Sequence, residues 1–269
     1  MPTISNLLHH LLVLLLLNPT PIITLSLPTI EHQYLLNTPL QTTLRPAHHG
    51  DLAAITTIIV DAFSPSAQWA YMFPDLAHQH AEIWNCFHAA IKREWTHRNP
   101  NTTFANVIAL QPEDRPMAVA VWKVKQRGGE DEQQLEQAEK GAAEEGLGFL
   151  APFALDPVCG PLNTTRATSI IAQLAPRESY HFANLSQLYL NILATHPSYD
   201  GHGFAAQNLH WGMELAKREL GGLPVTLTAT PAGWPVYEAE GFKGLENVTV
   251  QMEDGLGELW FEVARWDGD

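Results

Sequence analysis

The sequence predicts an α/β domain of the α+β kind, a mixed central sheet flanked by helices. Three observations predict it. Short β-patterned runs such as TFANVIAL and MAVAVWKVK are interspersed with helical-period segments such as HQHAEIWNCFHAAIKREW. A strand passes into a helix through two glycines in LATHPSYDGHGFAAQNL. Finally, apolar residues make up 45% of the 269 residues and charged residues 16%, enough to bury one sizeable core without metal or disulfide staples.

In chain order, residues 1–42 read as a poorly determined N-terminal extension with an apolar leader, and residues 43–269 as the domain proper. The leader LLHHLLVLLLL is shorter than the roughly 20 apolar residues of a membrane span. No Lys or Arg precedes Arg45, which argues against a secretory signal. N-x-S/T sequons at Asn101, Asn163, Asn184 and Asn247 point the other way, although Asn184 and Asn247 sit beside expected strands, where a glycan fits badly. A strand is expected at Thr42–Arg45, then a helix with Leu52, Ile55, Ile59 and Phe63 on one face. The next helix carries a stripe of Ile83, Trp84, Phe87, Ala90, Ile91 and Trp95. TFANVIAL and MAVAVWKVK pair as an antiparallel hairpin. An acidic insertion of about 126–150 has too few large apolar residues for core and reads as a surface excursion, with a lid over the active site as the alternative. SQLYLNILAT is a strand with Leu188, Leu190 and Ile192 expected on one side. The helix after the glycines buries Ala205, Leu209, Gly212, Met213, Ala216 and Leu220 and stops at Gly221-Gly222. Strand PVTLTAT, short helix PVYEAE, and a terminal hairpin of ENVTVQM and ELWFEVARW around Asp254-Gly255 complete the chain.

A net charge of −14 with only 15 Lys and Arg excludes the basic face that nucleic-acid binding needs. Cys86 and Cys159 form neither a disulfide framework nor a metal site by spacing, and are expected to be reduced and inert. Thirteen histidines give no ligand spacing; His9-His10 and His48-His49 are adjacent pairs that diverge on helix or strand, so no metal is expected.

The glycines carry the chemistry. A helix entered directly from a strand offers first-turn N–H groups without intrahelical partners, and side-chain-free residues let an anion approach them. Gly201 and Gly203 suit such a phosphate cradle, or simply a tight turn. Gly201-x-Gly203-x-x-Ala206 also fits a dinucleotide fingerprint, but the next strand, VTLTAT, lacks the acidic ribose ligand and too little chain follows for a doubly wound sheet.

Three separated segments, LRPAHHGDLAAITTIIVDAF, LATHPSYDGHGFAAQNLHWGMELAKRE and TLTATPAGWPVYEAEGF, resemble in order and distance the GNAT superfamily of acetyl-coenzyme A-dependent N-acetyltransferases. The resemblance covers roughly residues 43–261 without the insertion. It implies that Leu193, Ala194 and Thr195 offer backbone groups to the pantetheine and acetyl carbonyl, and that Gly201, His202, Gly203, Phe204 and Ala205 hold the pyrophosphate of acetyl-CoA. Where the family has Gln or Arg, this chain has Asp200, a charge that opposes phosphate. Tyr237, four residues before Gly241-Phe242, matches the family's thiol-protonating tyrosine. The proton acceptor stays open between Asn191, which can only orient water, His196, and solvent. Trp69, Tyr71 and Phe73 either wall an aromatic acceptor pocket or pack ordinarily. The resemblance thus implies an acyltransferase acting on a small primary amine in a ternary complex; the alternative is a degenerate GNAT-fold module that binds coenzyme A or an acceptor without turnover. Because acetyl-CoA is an intracellular metabolite, the expected location is cytoplasmic, with export permitted by the leader.

Overall fold

Seven strands form one sheet in the order β1-β2-β3-β4-β5-β7-β6, antiparallel throughout except where β4 and β5 run parallel. The structure, a computed structural model, describes residues 40–127 and 159–268. The extension before residue 40 and nearly all of the acidic insertion therefore lie outside the described residues. β1 (Thr42–Pro46) leads through a 3-10 turn into α1 (Leu52–Phe63), whose Leu52, Ile55 and Ile59 are buried as their spacing predicts. The entry is fixed by Asp51, which takes a bidentate pair from Arg45 at 2.7 and 2.9 Å and the His48 N–H at 2.8 Å. A short α2 (Ala67–Met72), capped by the Ser66 hydroxyl, precedes α3 (Leu76–His97), which buries Ile83, Phe87 and Ala90 and leaves Trp84, Ile91 and Trp95 half-buried.

β2 (Thr103–Leu110) and β3 (Arg115–Lys125) form the expected hairpin. α4 (Thr164–Phe182) follows, a helix to which the sequence reading assigns no element. Its buried Ala167, Ile170, Ile171, Leu174, Glu178 and Phe182 recur at three- and four-residue steps, and the Asn163 side chain caps it by accepting from the Arg166 N–H at 3.1 Å. The Asn163 sequon is thus a helix cap. Asn101, Asn184 and Asn247 are exposed, so the steric objection raised against Asn184 and Asn247 does not hold.

β4 (Gln187–Thr195) corrects another expectation. Its register against β3 slips between Val121 and Trp122, which pair with Ile192 and Leu190, so Asn191 is the extra residue of a bulge. A bulge shifts the alternation by one. Leu188 and Leu190 therefore pack with Trp122, Leu209 and Leu227 on one face, whereas Ile192 and Ala194 join the α1, α3 and α4 core on the other.

α5 (Phe204–Arg218) lies on the face of Leu188 and Leu190, and its Gly212 sits against the fully buried Trp122 indole, where any side chain would overlap the ring. Trp122 Nε1 donates to Asn106 at 3.1 Å, and Asn106 donates to Asn208 of α5 at 2.6 Å, tying the helix to the sheet. β5 (Val225–Ala229), α6 (Trp234–Ala239), β6 (Lys243–Gln251) and β7 (Glu258–Trp266) follow, with β7 inserted between β5 and β6.

Cys86 of α3 and Cys159 form a disulfide, Cα–Cα 5.3 Å, which overturns the expectation of two free thiols. Their 73-residue separation hid the contact, because spacing along a chain says nothing about two segments packed by intervening structure. No helix among the described residues is long and apolar enough to cross a membrane.

Candidate active site

β4 and β5 pair over only two positions, Leu188 with Val225 and Tyr189 with Thr226. Beyond Tyr189 the strands part. The distal half of β4 stays bonded to β3 through Thr195 but has no ladder partner on its β5 side among the described residues. That leaves a strand edge with main-chain donors and acceptors facing a gap.

A cleft of about 170 Å³ opens there, lined by Leu193, Ala194, Thr195, Asp200, Ala205, Gly233, Val236 and Tyr237. Five of the nine predicted site residues, Leu193, Ala194, Thr195, Ala205 and Tyr237, thus meet around one opening. The other four form the turn beside it. Gly201 and Gly203 have φ of +77° and +75°, and nothing lies within 4 Å of where a Cβ would project from either, so the main chain is bare at its surface. Gly203 is the N-cap of α5, which leaves the first N–H groups of that helix directed outward. Phe204 contributes only its backbone there, since its ring is buried against Ile108, Met117 and Ala118. His202 holds the turn itself, with Nδ1 3.0 Å from the carbonyls of both Tyr199 and Asp200 and its ring stacked on Phe204.

Asp200 is exposed in the cleft wall, and no ion pair reaches its carboxylate among the described residues. A cation does reach the neighbouring residue: Arg115 Nη2 donates to the Tyr199 hydroxyl at 2.5 Å. The sequence reading missed Arg115, which lies 84 residues away and is brought in by the β3–β4 pairing. It also missed Gly233 and Val236. A Cβ at Gly233 would lie 3.1 Å from Tyr237 Cε2 and press on the ring, a signal present in the small residue four positions before the tyrosine.

Tyr237 sits on the single turn and a half of α6. The Phe242 N–H donates to its carbonyl at 3.0 Å, Gly241 takes φ of +86°, and the Phe242 ring meets the phenol edge-on at 5.7 Å. This is why the Y-x-x-x-G-F spacing matters: the glycine reverses the chain so that the phenylalanine folds back onto the tyrosine. Burial pushes the Tyr237 pKa far up, so the phenol is protonated at neutral pH.

His196 is removed as a proton acceptor. Its Nδ1 accepts the Ser198 N–H at 3.2 Å and its Nε2 faces Asp61 at 3.3 Å, so both ring nitrogens are engaged. Of the two readings of the aromatic run, packing is the one found: Trp69, Tyr71 and Phe73 are 1%, 4% and 1% exposed, with Trp69 stacked on Phe87 at 4.8 Å. No group of three His, Cys, Asp or Glu is placed to hold a metal among the described residues.

No family model and no curated protein sequence matches the chain. Solved structures do. A mosquito arylalkylamine N-acetyltransferase like 5b superposes with a TM-score of 0.55 at 15% identity, over 84% of this chain and 99% of that one. The Drosophila melanogaster polyamine N-acetyltransferase, described as forming N-acetylagmatine, gives 0.52 at 12% identity over 84% of this chain and 100% of its own. A Corynebacterium glutamicum protein described as histone acetyltransferase HPA2 and related acetyltransferase gives 0.50 at 16% identity, over 85% and 96%. The chain has the GNAT acyltransferase fold. The residues that the sequence resemblance assigns to acetyl-CoA, Leu193 to Thr195 and Gly201 to Ala205, lie at the end of β4, in the glycine turn and at the start of α5.

Proposed function

We propose that this protein transfers the acetyl group of acetyl-CoA to a small-molecule primary amine, by direct attack in a ternary complex. The observation that carries the reading is one cleft in which the unpaired edge of β4, the start of α5 and the protonated Tyr237 converge. The bare positive-φ glycines and outward N–H groups of α5 fit a diphosphate, and Arg115 adds positive charge beside Tyr199. Coenzyme A supplies the activated acyl thioester. Main-chain N–H groups of Leu193 and Thr195, on the side of β4 away from β3, are fixed dipoles that stabilise negative charge on the carbonyl oxygen, and Tyr237 hydrogen-bonds the departing sulfur and gives it a proton. With Cys86 and Cys159 tied to each other, neither offers a thiol for an acyl-enzyme, which favours direct attack. The arylalkylamine and polyamine acceptors named for the mosquito and Drosophila proteins support an amine acceptor.

Asp200 favours a second reading, a module that holds coenzyme A or an acceptor without turnover, because its charge opposes the phosphates the turn would hold. Thiol release from acetyl-CoA against a panel of alkyl- and arylalkylamines separates the two. Amine-dependent release supports the transferase; coenzyme A binding without it supports the module; no coenzyme A binding overturns both.

A further inference from the structure

Coenzyme A carries, beyond its diphosphate, a 3′-phosphomonoester on the ribose, with a charge of about −2 at neutral pH. In the reading above, Leu193 to Thr195 serve the thioester end and the glycine turn takes the diphosphate, which leaves that outermost phosphate without a partner. We infer that Arg115, held by Tyr199, forms a subsite for the 3′-phosphate, so that the protein selects coenzyme A over its 3′-dephospho form. The inference rests on the acetyl-CoA reading of the cleft and deepens it.

Arg115 opens β3, which runs antiparallel to β4 with Ala118 opposite Thr195. The extended chain from Ala118 back to Arg115 spans about 10 Å, so Arg115 stands past the end of β4. There it meets Tyr199, which closes the 3-10 turn before Asp200. Arg115 Nη2 donates to the Tyr199 hydroxyl at 2.5 Å, and the guanidinium carbon lies 5.7 Å from the ring centre. The half-buried Tyr199 ring packs against the cluster of Ile108, Met117, Ala118 and Phe204, which seats the first residue of α5 over β2 and β3. The three features therefore follow one another across the sheet: the gap lies between β4 and β5, the start of α5 stands over β2 and β3, and Arg115 comes from the end of β3. A ligand that enters at the gap and crosses the glycine turn continues toward Arg115. Arg115 and Tyr199 do not line the cleft itself, which suits the end of the ligand that emerges from it.

The charge of this guanidinium is not spent on the protein. The chain holds 29 Asp and Glu against 15 Lys and Arg, and Arg45, Arg177, Arg218 and Arg265 each meet a carboxylate. Among the described residues no carboxylate lies within ion-pair distance of Arg115, and Asp114, its neighbour in the chain, turns to Arg45 at 2.9 Å. A neutral phenol takes one N–H of the fork and leaves the others for phosphate oxygens. It also fixes the side chain, which lowers the freedom an exposed arginine loses on binding. The other charged groups at the turn are turned elsewhere. His202 sets Nδ1 on the carbonyls of Tyr199 and Asp200, His196 faces Asp61, and the Asp200 carboxylate lines the cleft. Because Asp200 opposes the diphosphate, charge attraction for this ligand is concentrated at its outer phosphate.

An Arg115 that only held Tyr199 in place would affect every form of the ligand alike, so the ratio of two affinities separates the roles. Titration calorimetry at about 0.1 M salt compares coenzyme A with 3′-dephospho-coenzyme A on the full chain and on its Arg115→Gln variant. A guanidinium in contact with a dianion in water at that salt is worth about tenfold in affinity, so the full chain should prefer coenzyme A by about tenfold. Arg115→Gln should reduce the preference to about twofold or less, with affinity for the dephospho form within about twofold of the full chain. Equal losses for both ligands would put Arg115 at the diphosphate or in the scaffold, and equal affinity of the full chain for both would leave no 3′-phosphate subsite. Either result overturns the inference while the acetyl-CoA reading stands. If circular dichroism shows Arg115→Gln unfolded, Tyr199→Phe decides: freeing the guanidinium from its hydroxyl should lower the preference by about twofold or more, and an unchanged preference overturns the inference. A full chain that binds neither ligand removes the acetyl-CoA reading itself, and this inference with it.

Discussion

Replacing Asp200 with asparagine should tighten coenzyme A binding by an amount that salt can tune. Asp200 lines the cleft wall next to Gly201, and its carboxylate is exposed, so the dielectric of water applies. Two unit charges about 6 Å apart in water interact by about 0.7 kcal/mol, and a diphosphate on the turn carries about two of them. Screening with a Debye length of about 30 Å at 0.01 M salt, 10 Å at 0.1 M and 3 Å at 1 M turns that into affinity gains of about sevenfold, fourfold and under twofold. Asparagine keeps the shape and the backbone carbonyl that His202 uses. Titration calorimetry of coenzyme A at the three salt concentrations measures the gain. Acetyl-pantetheine, which lacks the diphosphate, provides the control and should bind both proteins equally. An unchanged affinity at 0.01 M, or a gain that 1 M salt does not reduce, would mean that the phosphates do not lie on this turn.

Four further outcomes follow from the same geometry. Tyr237→Phe should lower kcat by about 100-fold or more and leave the coenzyme A dissociation constant within about twofold, since only the proton donor is lost; equal turnover in steady-state assays removes Tyr237 from the mechanism. Gly212→Ala forces a methyl into the Trp122 indole and should cost roughly 1–3 kcal/mol in urea unfolding, against a near-neutral Gly→Ala change if the contact is absent. Cys159→Ser opens a loop of 73 residues, for which chain entropy predicts a loss of about 4 kcal/mol and a fall of roughly 10 °C in Tm by calorimetry; an unchanged Tm means that the two sulfurs are not joined. Asp51 is pushed up by burial but pulled down further by Arg45 and the His48 N–H, so its folded pKa lies below 3.8. Its contribution to stability is therefore complete above that value and lost as pH falls below it, and Asp51→Asn should flatten this acid limb of a stability–pH curve.

How much of this was legible in the sequence depended on whether the signal was local. The glycine turn was, because Gly201 and Gly203 need positive φ and announce a strand-to-helix passage on their own. Tyr237 was legible through the glycine and phenylalanine that fold back on it. Contacts made by strand pairing were not: Arg115 reaches Tyr199 and Cys86 reaches Cys159 only because distant segments are packed together. α4 went unread although its apolar stripe is regular, since Pro176 interrupts the pattern and flanking polar residues dilute it. The aromatic run at Trp69, Tyr71 and Phe73 left two readings open for a different reason. Alternation suits a pocket wall and packing alike, and only the short helix of Ala67–Met72, with Phe73 at its C-terminal cap, shows that all three rings are buried.

The bulge at Asn191 shows why period-two reasoning failed where function is concentrated. A regular β4 would place Leu188, Leu190 and Ile192 on one face, and the strand would be free to continue its ladder with β5. One inserted residue instead sends Ile192 to the other core, and past this point β4 keeps β3 but has no paired β5. The same strand thereby presents Tyr189, bonded to Glu178, before the bulge and the cleft-lining Leu193 to Thr195 after it, on the side away from β3. Deleting Asn191 would join Leu190, the partner of Trp122, directly to Ile192, the partner of Val121, so that alternation is correct on both sides of the join and Leu193 to Thr195 keep their places against Ala120 to Ala118. Such a deletion should fold and keep amine-dependent thiol release, which circular dichroism and the thiol assay would report separately. Folded protein without turnover would show that the cleft needs the local bend of the bulge rather than the register it sets.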